Sequence, residues 1–323
     1  MTAFQVTFPR FRARPPWFGG DLQTLRNAVL REWTKMEAWP GRRHYAETPD
    51  GDRLSGMLHE SGVGNGRLVV LIHGLTGCED SAYVRASARH FLENGFDVFR
   101  ANLRGAGPSR ADCRRMYHAG GSADLALWLS ILDGEGLGTA GCFAVGYSLG
   151  ASLLLKYLAE AGGDARVDQA VAVSAPLDLA AVSTRLEAKR NRGYHRWLLR
   201  RMKADWHAGP LEISPEQAAV LEVAETIREF DNGVVAPMNG FRDAADYYAS
   251  CASGPLLDRI AVPTLAIHAD NDPWIPADAH RALGQGLPMV NILLSHGGGH
   301  VGFHGKGGRW HDRCAMAFFN AAS

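Results

Sequence analysis

The pentapeptide from Gly146 to Gly150 has the residue types and spacing of a catalytic nucleophile. It contains Gly-Tyr-Ser-Leu-Gly, follows the β-prone segment 142–145 and precedes the apolar segment 151–155. Between a strand and a helix, Gly-x-Ser-x-Gly holds its serine in a strained turn at the carboxyl edge of a sheet. A side chain two residues before or after the serine would collide with the neighbouring strand or helix, so glycine is required there. The pattern predicts that Ser148 is a nucleophile; the alternative is a serine that only caps a structural helix.

A serine nucleophile needs a base and an acid, and in this arrangement they follow the serine in the order acid, then histidine. Asp272 lies in Asp-Pro-Trp-Ile-Pro, directly after an apolar strand pattern, and His300 lies in Gly-Gly-Gly-His after the last strand pattern. Asp270 is the alternative acid. We favour Asp272 because it begins the proline-bounded turn, whereas Asp270 is still leaving the strand. The sequence thus predicts a triad of Ser148, Asp272 and His300.

Acyl transfer also requires hydrogen-bond donors for the oxyanion that develops on the substrate. The backbone N–H of Leu149, at the start of the elbow helix, is one predicted donor. The N–H of Leu75 is the other, because Leu75 lies in His-Gly-Leu-Thr-Gly, the loop after the first buried strand. We expect His73, which begins that loop, to have a structural role.

Two other patterns suggest different chemistry and are weaker. His296, His300 and His304 have a spacing that would align metal ligands on a helix, but the five glycines between 297 and 305 disfavour a helix. The segment 136–141 matches Gly-x-Gly-x-x-Gly, yet it precedes a strand and cannot present a helix amino end to a pyrophosphate. We therefore predict neither a metal site nor a cofactor.

The elements that must position these residues alternate between strand and helix patterns about every 30 residues. Apolar strand patterns are found at 68–72, 96–101, 142–145, 170–174, 263–268 and 290–294. Helical patterns are found at 81–94, 122–134, 149–162, 277–287 and 309–321, and a hairpin joins 43–48 to 53–60. Alternation of this kind predicts an α/β fold with a mostly parallel sheet and helices on both faces.

Between 176 and 260 the alternation stops, and helical patterns occur without a buried strand. They lie at 177–190, 194–203, 215–230 and 241–252. A strand-to-strand connection does not need so many residues, so we predict that 177–255 form an inserted helical cap over Ser148. The core then comprises 41–176 and 256–323. Residues 1–40 are predicted to be an irregular arm lying across it, with a helical pattern from Leu22 to Trp33.

Composition limits the classes of partner and compartment. Of the 323 residues, 34 are basic and 34 acidic, so no overall field attracts nucleic acid, which we do not expect as a partner. Five scattered cysteines without a Cys-x-x-Cys motif favour a reducing compartment. The amino-terminal residues lack the apolar core of a signal peptide, and no 18-residue apolar run occurs. We expect a soluble, cytoplasmic protein.

Residues 185–203 form a local exception, with eight basic side chains and one acidic side chain, Glu187. Two interpretations stay open for this segment. It is either a solvated basic helix face or a surface that makes transient contact with a membrane or an anionic substrate.

The chain resembles α/β-hydrolases over essentially its whole length, and more narrowly their YheT-like, embryogenesis-associated branch of esterases and lipases. The motifs that carry the resemblance are Gly20-Asp21-Leu22-Gln23-Thr24, Asp50-Gly51-Asp52, His73 to Gly77 with Ser81 and Tyr83, Asn102-Leu103-Arg104-Gly105, Tyr117-His118, Ser174 to Leu179, Phe230-Asp231, Gly240-Phe241 with Tyr247-Tyr248, and Asn271-Asp272-Pro273. The chain departs from the branch at Asp21, where a histidine is expected, and at Asn271, where an aspartate is expected.

The resemblance implies a cofactor-independent carboxylic-ester hydrolase with the triad named above, acting on acyl esters, with monoacylglycerols and other lipids as candidates. The interpretation from the residues alone is the same: a serine esterase that forms an acyl-enzyme. A non-hydrolytic protein that binds an apolar ligand under the cap is the alternative from another class. Thioesterases, amidases and acyltransferases use the same parts.

Overall fold

The computed structural model describes residues 6–30, 34–283 and 286–321, and its centre is an eight-stranded sheet. The strands are β1 (Gly41–Glu47), β2 (Arg53–His59), β3 (Leu68–Ile72), β4 (Asp97–Ala101), β5 (Cys142–Tyr147), β6 (Gln169–Val173), β7 (Thr264–Ala269) and β8 (Val290–Ser295). Their order across the sheet is β1-β2-β4-β3-β5-β6-β7-β8. The β1–β2 hairpin and the β2–β4 pair are antiparallel, and all other neighbours are parallel. The predicted mostly parallel α/β sheet is confirmed.

Helices cover both faces of the sheet. The helices of the described residues are α1 (Gly19–Leu30), α2 (Ala82–Glu93), α3 (Ser122–Gly134), α4 (Leu149–Ala161), α5 (Leu179–Glu187), α6 (Arg192–His207), α7 (Pro215–Val223), α8 (Ile227–Phe230), α9 (Ala236–Met238), α10 (Ala244–Cys251), α11 (Asp278–Leu283) and α12 (Trp310–Ala321). Helices α3 and α4 pack on one face, and α2 and α12 pack on the other. Successive residues of β3 face these two cores alternately, which explains why the whole strand is apolar.

The helices α5 to α10 lie between β6 and β7 and have an apolar core of their own, to which Trp206 and Phe230 contribute. The helix predicted at 215–230 is divided into α7 and α8. The division is at Thr226, which starts α8 with a capping box because its hydroxyl accepts the Glu229 N–H. A π-helical segment, Asp231–Val235, then connects α8 to α9. We call residues 177–255 the helical insertion; the division of the chain into arm, core and cap stays a prediction.

The amino-terminal residues pack against the loop that follows β8. Ala13 forms a bridge with Gly305, and Lys306 donates its N–H to the carbonyl of Arg12 at 3.0 Å. That loop contains a two-stranded ribbon, β9 (His304–Gly305) and β10 (Gly308–Arg309), which the sequence did not predict. Helix α1 begins at Gly19, three residues before the predicted start, and residues 31–33 of the predicted helix lie outside the described residues.

Helix α11 spans Asp278–Leu283, within the predicted 277–287, of which residues 284–285 lie outside the described part of the chain. Among the described residues, no helix has the length and apolar character needed to cross a membrane.

Candidate active site

The turn between β5 and α4 holds Ser148 in a conformation that serine rarely adopts. Its φ is 53° and its ψ is −121°, and its side chain makes no capping hydrogen bond to α4. A Cβ atom at Gly146 would lie 2.6 Å from the Cα of Ala151, and one at Gly150 would lie 2.3 Å from the carbonyl oxygen of His73. Both glycines are therefore needed for the turn to close, and the strain is concentrated on the residue predicted to react.

The structure brings the three residues predicted for the triad into one hydrogen-bonded chain. The Nε2 atom of His300 lies 2.9 Å from the Oγ of Ser148, and its Nδ1 lies 2.8 Å from the Oδ2 of Asp272. His300 and Asp272 are each 5% exposed. Ser148 is half-buried and is reachable from two cavities. This is the geometry in which an imidazole removes the hydroxyl proton while a carboxylate holds the ring.

The two aspartates after β7 have different partners. Oδ1 of Asp272 accepts the backbone N–H groups of Trp274 and Ile275, at 2.8 and 3.0 Å. Burial opposes the charge of Asp272, but His300 and these contacts outweigh it and hold the pKa of the carboxyl below its usual value. Asp270 instead accepts from the Nδ1 of His296 at 2.7 Å and from a backbone N–H of the glycine-rich loop, and has no contact with His300.

The loop that carries His300 is held from two sides. The backbone N–H of His300 donates to the Oγ1 of Thr24 on α1 at 2.8 Å, and that of Val301 donates to the Oγ of Ser174 at 3.2 Å. The loop also leaves no room between itself and the arm, since a Cβ at Gly299 would lie 2.3 Å from the carbonyl oxygen of Gly20. The arm therefore positions the candidate base, a role that sequence reasoning missed.

Two tyrosine side chains hold the loop after β3. The backbone N–H of Leu75, between their two contacts, stays available. The Gly74 N–H donates to the hydroxyl of Tyr83 at 2.8 Å, and the Thr76 N–H donates to that of Tyr117 at 2.7 Å. Among the hydrogen bonds of the described residues, none has the Leu75 or Leu149 N–H as its donor. A Cβ at Gly74 would lie 3.0 Å from that of Ser148, so this loop touches the serine. The proposed donors are thus near the serine, and neither has an acceptor within the described part of the chain.

His73 has the structural contacts that we expect for it. Its Nδ1 donates to the carbonyl oxygen of Gly74 at 2.8 Å, and its Nε2 accepts the Leu103 N–H at 3.0 Å. Burial lowers the pKa of His73 to about 4, so it is neutral and can both donate and accept. It ties the candidate oxyanion loop to the segment after β4.

Two cavities meet at Ser148 and His300. The first has an empty volume of about 970 Å³, its mouth included, and lies under the helical insertion. Most of its lining is apolar and comes from the insertion, including Leu186, Leu198, Met202 and Val235. The second, of about 1550 Å³, is more open and polar and lies between α1, the candidate oxyanion loop and α6. The site therefore offers an apolar pocket on one side and an open cleft on the other.

Trp274 is a site residue that the sequence analysis quoted only as part of the Asp-Pro-Trp turn. Its ring stacks on His300 with centroids 4.4 Å apart and an interplanar angle of 30°. Trp274 also lines both cavities. The sequence carries no separate signal for this role, because the ring meets His300 only when two distant loops fold together.

The basic segment 185–203 is not one uniform face. Arg190 pairs with Asp21 at 2.7 Å, Arg201 donates to the carbonyl oxygen of Thr76 at 2.8 Å, and Lys203 donates to the Glu222 carbonyl at 2.9 Å. Arg201 therefore connects α6 to the candidate oxyanion loop. The remaining arginines of α6 face solvent.

His296 and His304 do not converge with His300. His296 is exposed and pairs with Asp270, whereas His304 is buried in the ribbon, where Arg26 contacts its Nδ1. Within the described residues, no group of three or more histidine, cysteine or acidic side chains has a metal-binding arrangement. The segment 136–141 forms the loop from α3 to β5, as its position before a strand indicated.

Comparisons with known proteins agree with this architecture. The family model described as alpha/beta hydrolase fold matches residues 67–306. The YheT protein of Escherichia coli (strain K12) is 36% identical over 292 residues, which are 88% of this chain and 84% of that protein. The monoacylglycerol lipase of Saccharomyces cerevisiae is 30% identical over 305 residues, which are 89% of this chain and 66% of that protein.

Solved structures extend the likeness at low identity. The esterase Pf2001 of Pyrococcus furiosus superposes with a TM-score of 0.60, at 16% identity, over 90% of this chain and 96% of that one. At that identity the likeness concerns the fold alone. The sheet, the matched family model and the relative at 36% identity together establish that this chain belongs to the alpha/beta hydrolase fold family and resembles its YheT-like esterases and lipases.

Proposed function

We propose that this protein is a serine-dependent carboxylic-ester hydrolase that acts through an acyl-enzyme. The observation that carries the proposal is the chain of two hydrogen bonds from Ser148 through His300 to the buried Asp272, at 2.9 and 2.8 Å. A solvent-reachable serine at a strained turn, beside an imidazole with its own buried carboxylate, has the parts of an activated nucleophile. A binding protein would need none of these three groups.

In the first step, the Oγ of Ser148 attacks the ester carbonyl carbon while its proton passes to the Nε2 of His300. The negative charge moves to the carbonyl oxygen, which accepts hydrogen bonds from the N–H groups of Leu75 and Leu149. The bond from carbon to the alcohol oxygen then breaks, and His300 returns the proton to the departing alcohol. Asp272 holds the ring and stabilises the imidazolium throughout.

In the second step, water attacks the acyl-enzyme. His300 takes a proton from the water, the bond between the acyl carbon and Oγ breaks, and Ser148 regains its proton as the carboxylic acid leaves. Both steps use the same imidazole, so a single intact triad is sufficient. No cofactor enters the balance.

The two cavities suggest which part of the substrate lies where. The apolar pocket under the insertion suits the acyl chain, and the open polar cleft suits the alcohol portion. Short- to medium-chain acyl esters and lipids are therefore the proposed substrate class. The name of the yeast relative, a monoacylglycerol lipase, agrees with it.

The test is a panel of p-nitrophenyl esters from acetate to palmitate, with the corresponding thioesters measured alongside. Ser148→Ala is expected to remain folded and to lose activity by about 10⁴- to 10⁶-fold, as when a triad member is removed. Ser130→Ala, an exposed serine on α3, is the matched control and should retain the parent's activity.

A fluorophosphonate probe gives an independent readout. It should label the parent and the Ser130→Ala control but not Ser148→Ala. A folded parent that is neither labelled nor active on any ester would contradict the proposal and favour the apolar-ligand binding protein. Thioester turnover that greatly exceeds ester turnover would correct the substrate class and leave the mechanism intact.

A further inference from the structure

Helix α1 and the residue before it expose several apolar side chains, whereas the buried residue of α1 is polar, Gln23. Four exposed apolar residues follow one another at helical spacing, Phe18, Leu22, Leu25 and Val29, with exposed fractions of 57%, 45%, 38% and 64%. On the opposite side, Gln23 is 1% exposed and hydrogen-bonds the backbone of His304, and Thr24 holds the His300 loop. An ordinary surface helix has the reverse arrangement.

The apolar face of α1 continues onto α6 of the helical insertion. Asp21 ties the two helices together through Arg190, at 2.7 Å, and the hydroxyl of Tyr194, at 2.9 Å. Leu25 and Trp197 line the groove between the helices, and Trp197 is 40% exposed. The exposed apolar surface therefore crosses from one helix to the other.

A row of arginines borders this surface. Arg192, Arg196 and Arg200 are spaced by four on the exposed side of α6, and the last two flank Trp197 along the helix. No carboxylate among the described residues lies within salt-bridge distance of these three arginines, unlike Arg190, which is paired. The protein has no net charge, so this local positive field is not a result of overall composition.

We propose that this surface docks the protein on an anionic lipid bilayer. The docking patch consists of the apolar side chains Phe18, Leu22, Leu25, Val29 and Trp197 with the basic side chains Arg192, Arg196 and Arg200. The apolar members enter the boundary between headgroups and acyl chains, and the guanidinium groups bind lipid phosphates. The inference rests on the proposed function and specifies how that site obtains a lipid substrate.

The position of the cleft favours a lipid surface over other occupants. The open cavity at Ser148 is bounded by Thr24, Asn27 and Ala28 of α1 and by Trp197 of α6. Its mouth therefore lies between the two helices that carry the patch, and an ester could pass from the bilayer to Ser148 without crossing water. A symmetric dimer through this patch would bring the arginine rows of both copies into one interface, and this concentration of like charge disfavours it.

Vesicle flotation tests the proposal. The parent should float with phosphatidylcholine vesicles that contain phosphatidylglycerol and much less with phosphatidylcholine alone. Leu22→Gln with Val29→Gln should weaken binding by about tenfold or more, because two apolar groups no longer enter the lipid. Arg196→Gln with Arg200→Gln should weaken binding to the anionic vesicles only and remove much of its salt dependence.

A matched control removes equally exposed apolar side chains elsewhere. Val63 and Val223 are 63% and 72% exposed, so Val63→Gln with Val223→Gln should float like the parent. On a soluble short-chain ester, all of these variants should match the parent, since none lies in the proposed catalytic machinery. On vesicles of a lipid ester, only the docking-patch variants should lose activity.

The outcomes separate the two proposals. A parent that hydrolyses soluble esters but does not float overturns the docking surface and leaves the function standing. A parent that floats but hydrolyses no ester overturns the proposed function and leaves the docking surface standing. Patch variants that float as well as the parent overturn the assignment to these residues, as would a parent dimer that the same variants convert to monomers.

Discussion

At the scale of single residues, the two aspartates after β7 provide the sharpest test of the site. Asp272 contacts His300 and is buried, whereas Asp270 contacts His296 and the glycine-rich loop. Asp272→Asn should lower kcat/KM on a short ester by about 10⁴-fold, because an amide no longer holds the imidazole in the reactive tautomer. Asp270→Asn should change it by less than about tenfold, so equal losses, or the reverse order, would show that the acid is wrongly assigned.

Asp231 is a buried carboxyl in the lining of the apolar pocket, and it predicts a dependence of stability on pH. Burial raises its pKa from 3.8 to about 7, although the hydroxyl of Tyr248 donates to it at 2.6 Å and acts in the other direction. Between about pH 4 and pH 7 the folded protein keeps this proton and the unfolded chain does not. The group's contribution to the free energy of unfolding is therefore largest in acid and falls as the pH rises, by about 1.4 kcal/mol per unit.

Asp231→Asn removes that titration and tests the pKa shift. The stability of the variant relative to the parent should be greater at about pH 8 than at about pH 5, by roughly a few kcal/mol. Urea unfolding of both proteins at the two pH values measures this difference. Asp243→Asn is a poor control because Asp243 caps α10, so Asp258→Asn, at an exposed position, is the control variant. If the difference in stability between the Asp231→Asn variant and the parent did not change with pH, the raised pKa would be contradicted.

Single functional residues can be predicted from the sequence where a short motif fixes both the residue type and its position in the fold. Ser148 and His300 can be selected because the elbow and the glycine-rich loop are local patterns. Their order along the chain, serine before histidine, then assigns both residues to one site. Thr24 and Tyr83 belong to motifs that carry the family resemblance, but their roles could not be found in that way. Thr24 acts on a loop that is distant in the chain, and Tyr83 acts on the loop before its own helix; only the folded structure shows that their hydroxyls receive the N–H groups of His300 and Gly74.

At the scale of elements, the strands were predicted well because both faces of a parallel sheet demand apolar residues. The segment 68–72 matches β3 residue for residue, and the other central strands differ by one or two residues at their ends. The insertion was predicted less well. The break between α7 and α8 depends on the capping of Thr226, and the π-helical segment at Asp231–Val235 has no signal in a 3.6-residue period.

Helix α6 contacts the loop after β3, and this contact predicts that a residue outside the triad affects catalysis. Arg201 donates through Nη2 to the carbonyl oxygen of Thr76 and through Nε to its hydroxyl, at 2.8 and 3.1 Å. Thr76 follows Leu75 and has a φ of 55°, so Arg201 holds the strained end of the proposed oxyanion loop. We assign Arg201 as a positioning residue.

Arg201→Gln should lower kcat on a short ester by about 10- to 100-fold with a smaller change in KM, because the oxyanion donors matter most in the transition state. Arg201→Lys, which can restore one of the two hydrogen bonds, should recover part of kcat. Arg200→Gln, its exposed neighbour, is the control on a soluble substrate. A loss that appears in KM alone, or no rescue by lysine, would assign Arg201 to substrate binding or to folding instead.

At the scale of the whole molecule, the arm, the sheet and the insertion all meet at one point. The sheet supplies Ser148 and the loops that carry Asp272 and His300, the arm braces the His300 loop, and the insertion provides most of the apolar lining. The sheet and the additional helices of the insertion could be predicted from the sequence, because both are properties of long segments. The contact between the arm and the insertion was not predicted, because it depends on side chains such as Asp21 and Tyr194 that meet only in the folded protein.

If the proposed function holds, this arrangement predicts that acyl-chain preference is a property of the insertion. Val235 is 5% exposed and lines the apolar pocket from the end of the π-helical segment. Each methylene buried in such a pocket stabilises the complex by about 0.8 kcal/mol, so kcat/KM should rise by up to about fourfold for each added carbon and stop where the pocket is full. Val235→Phe should move that limit to shorter chains and leave the acetate ester unaffected, as measured on the p-nitrophenyl series.

Val223→Phe, on the exposed side of α7, should follow the parent at every length. If Val235→Phe changed all esters equally, the acyl chain would not lie under the insertion, and the open cleft between α1 and α6 would be its site instead.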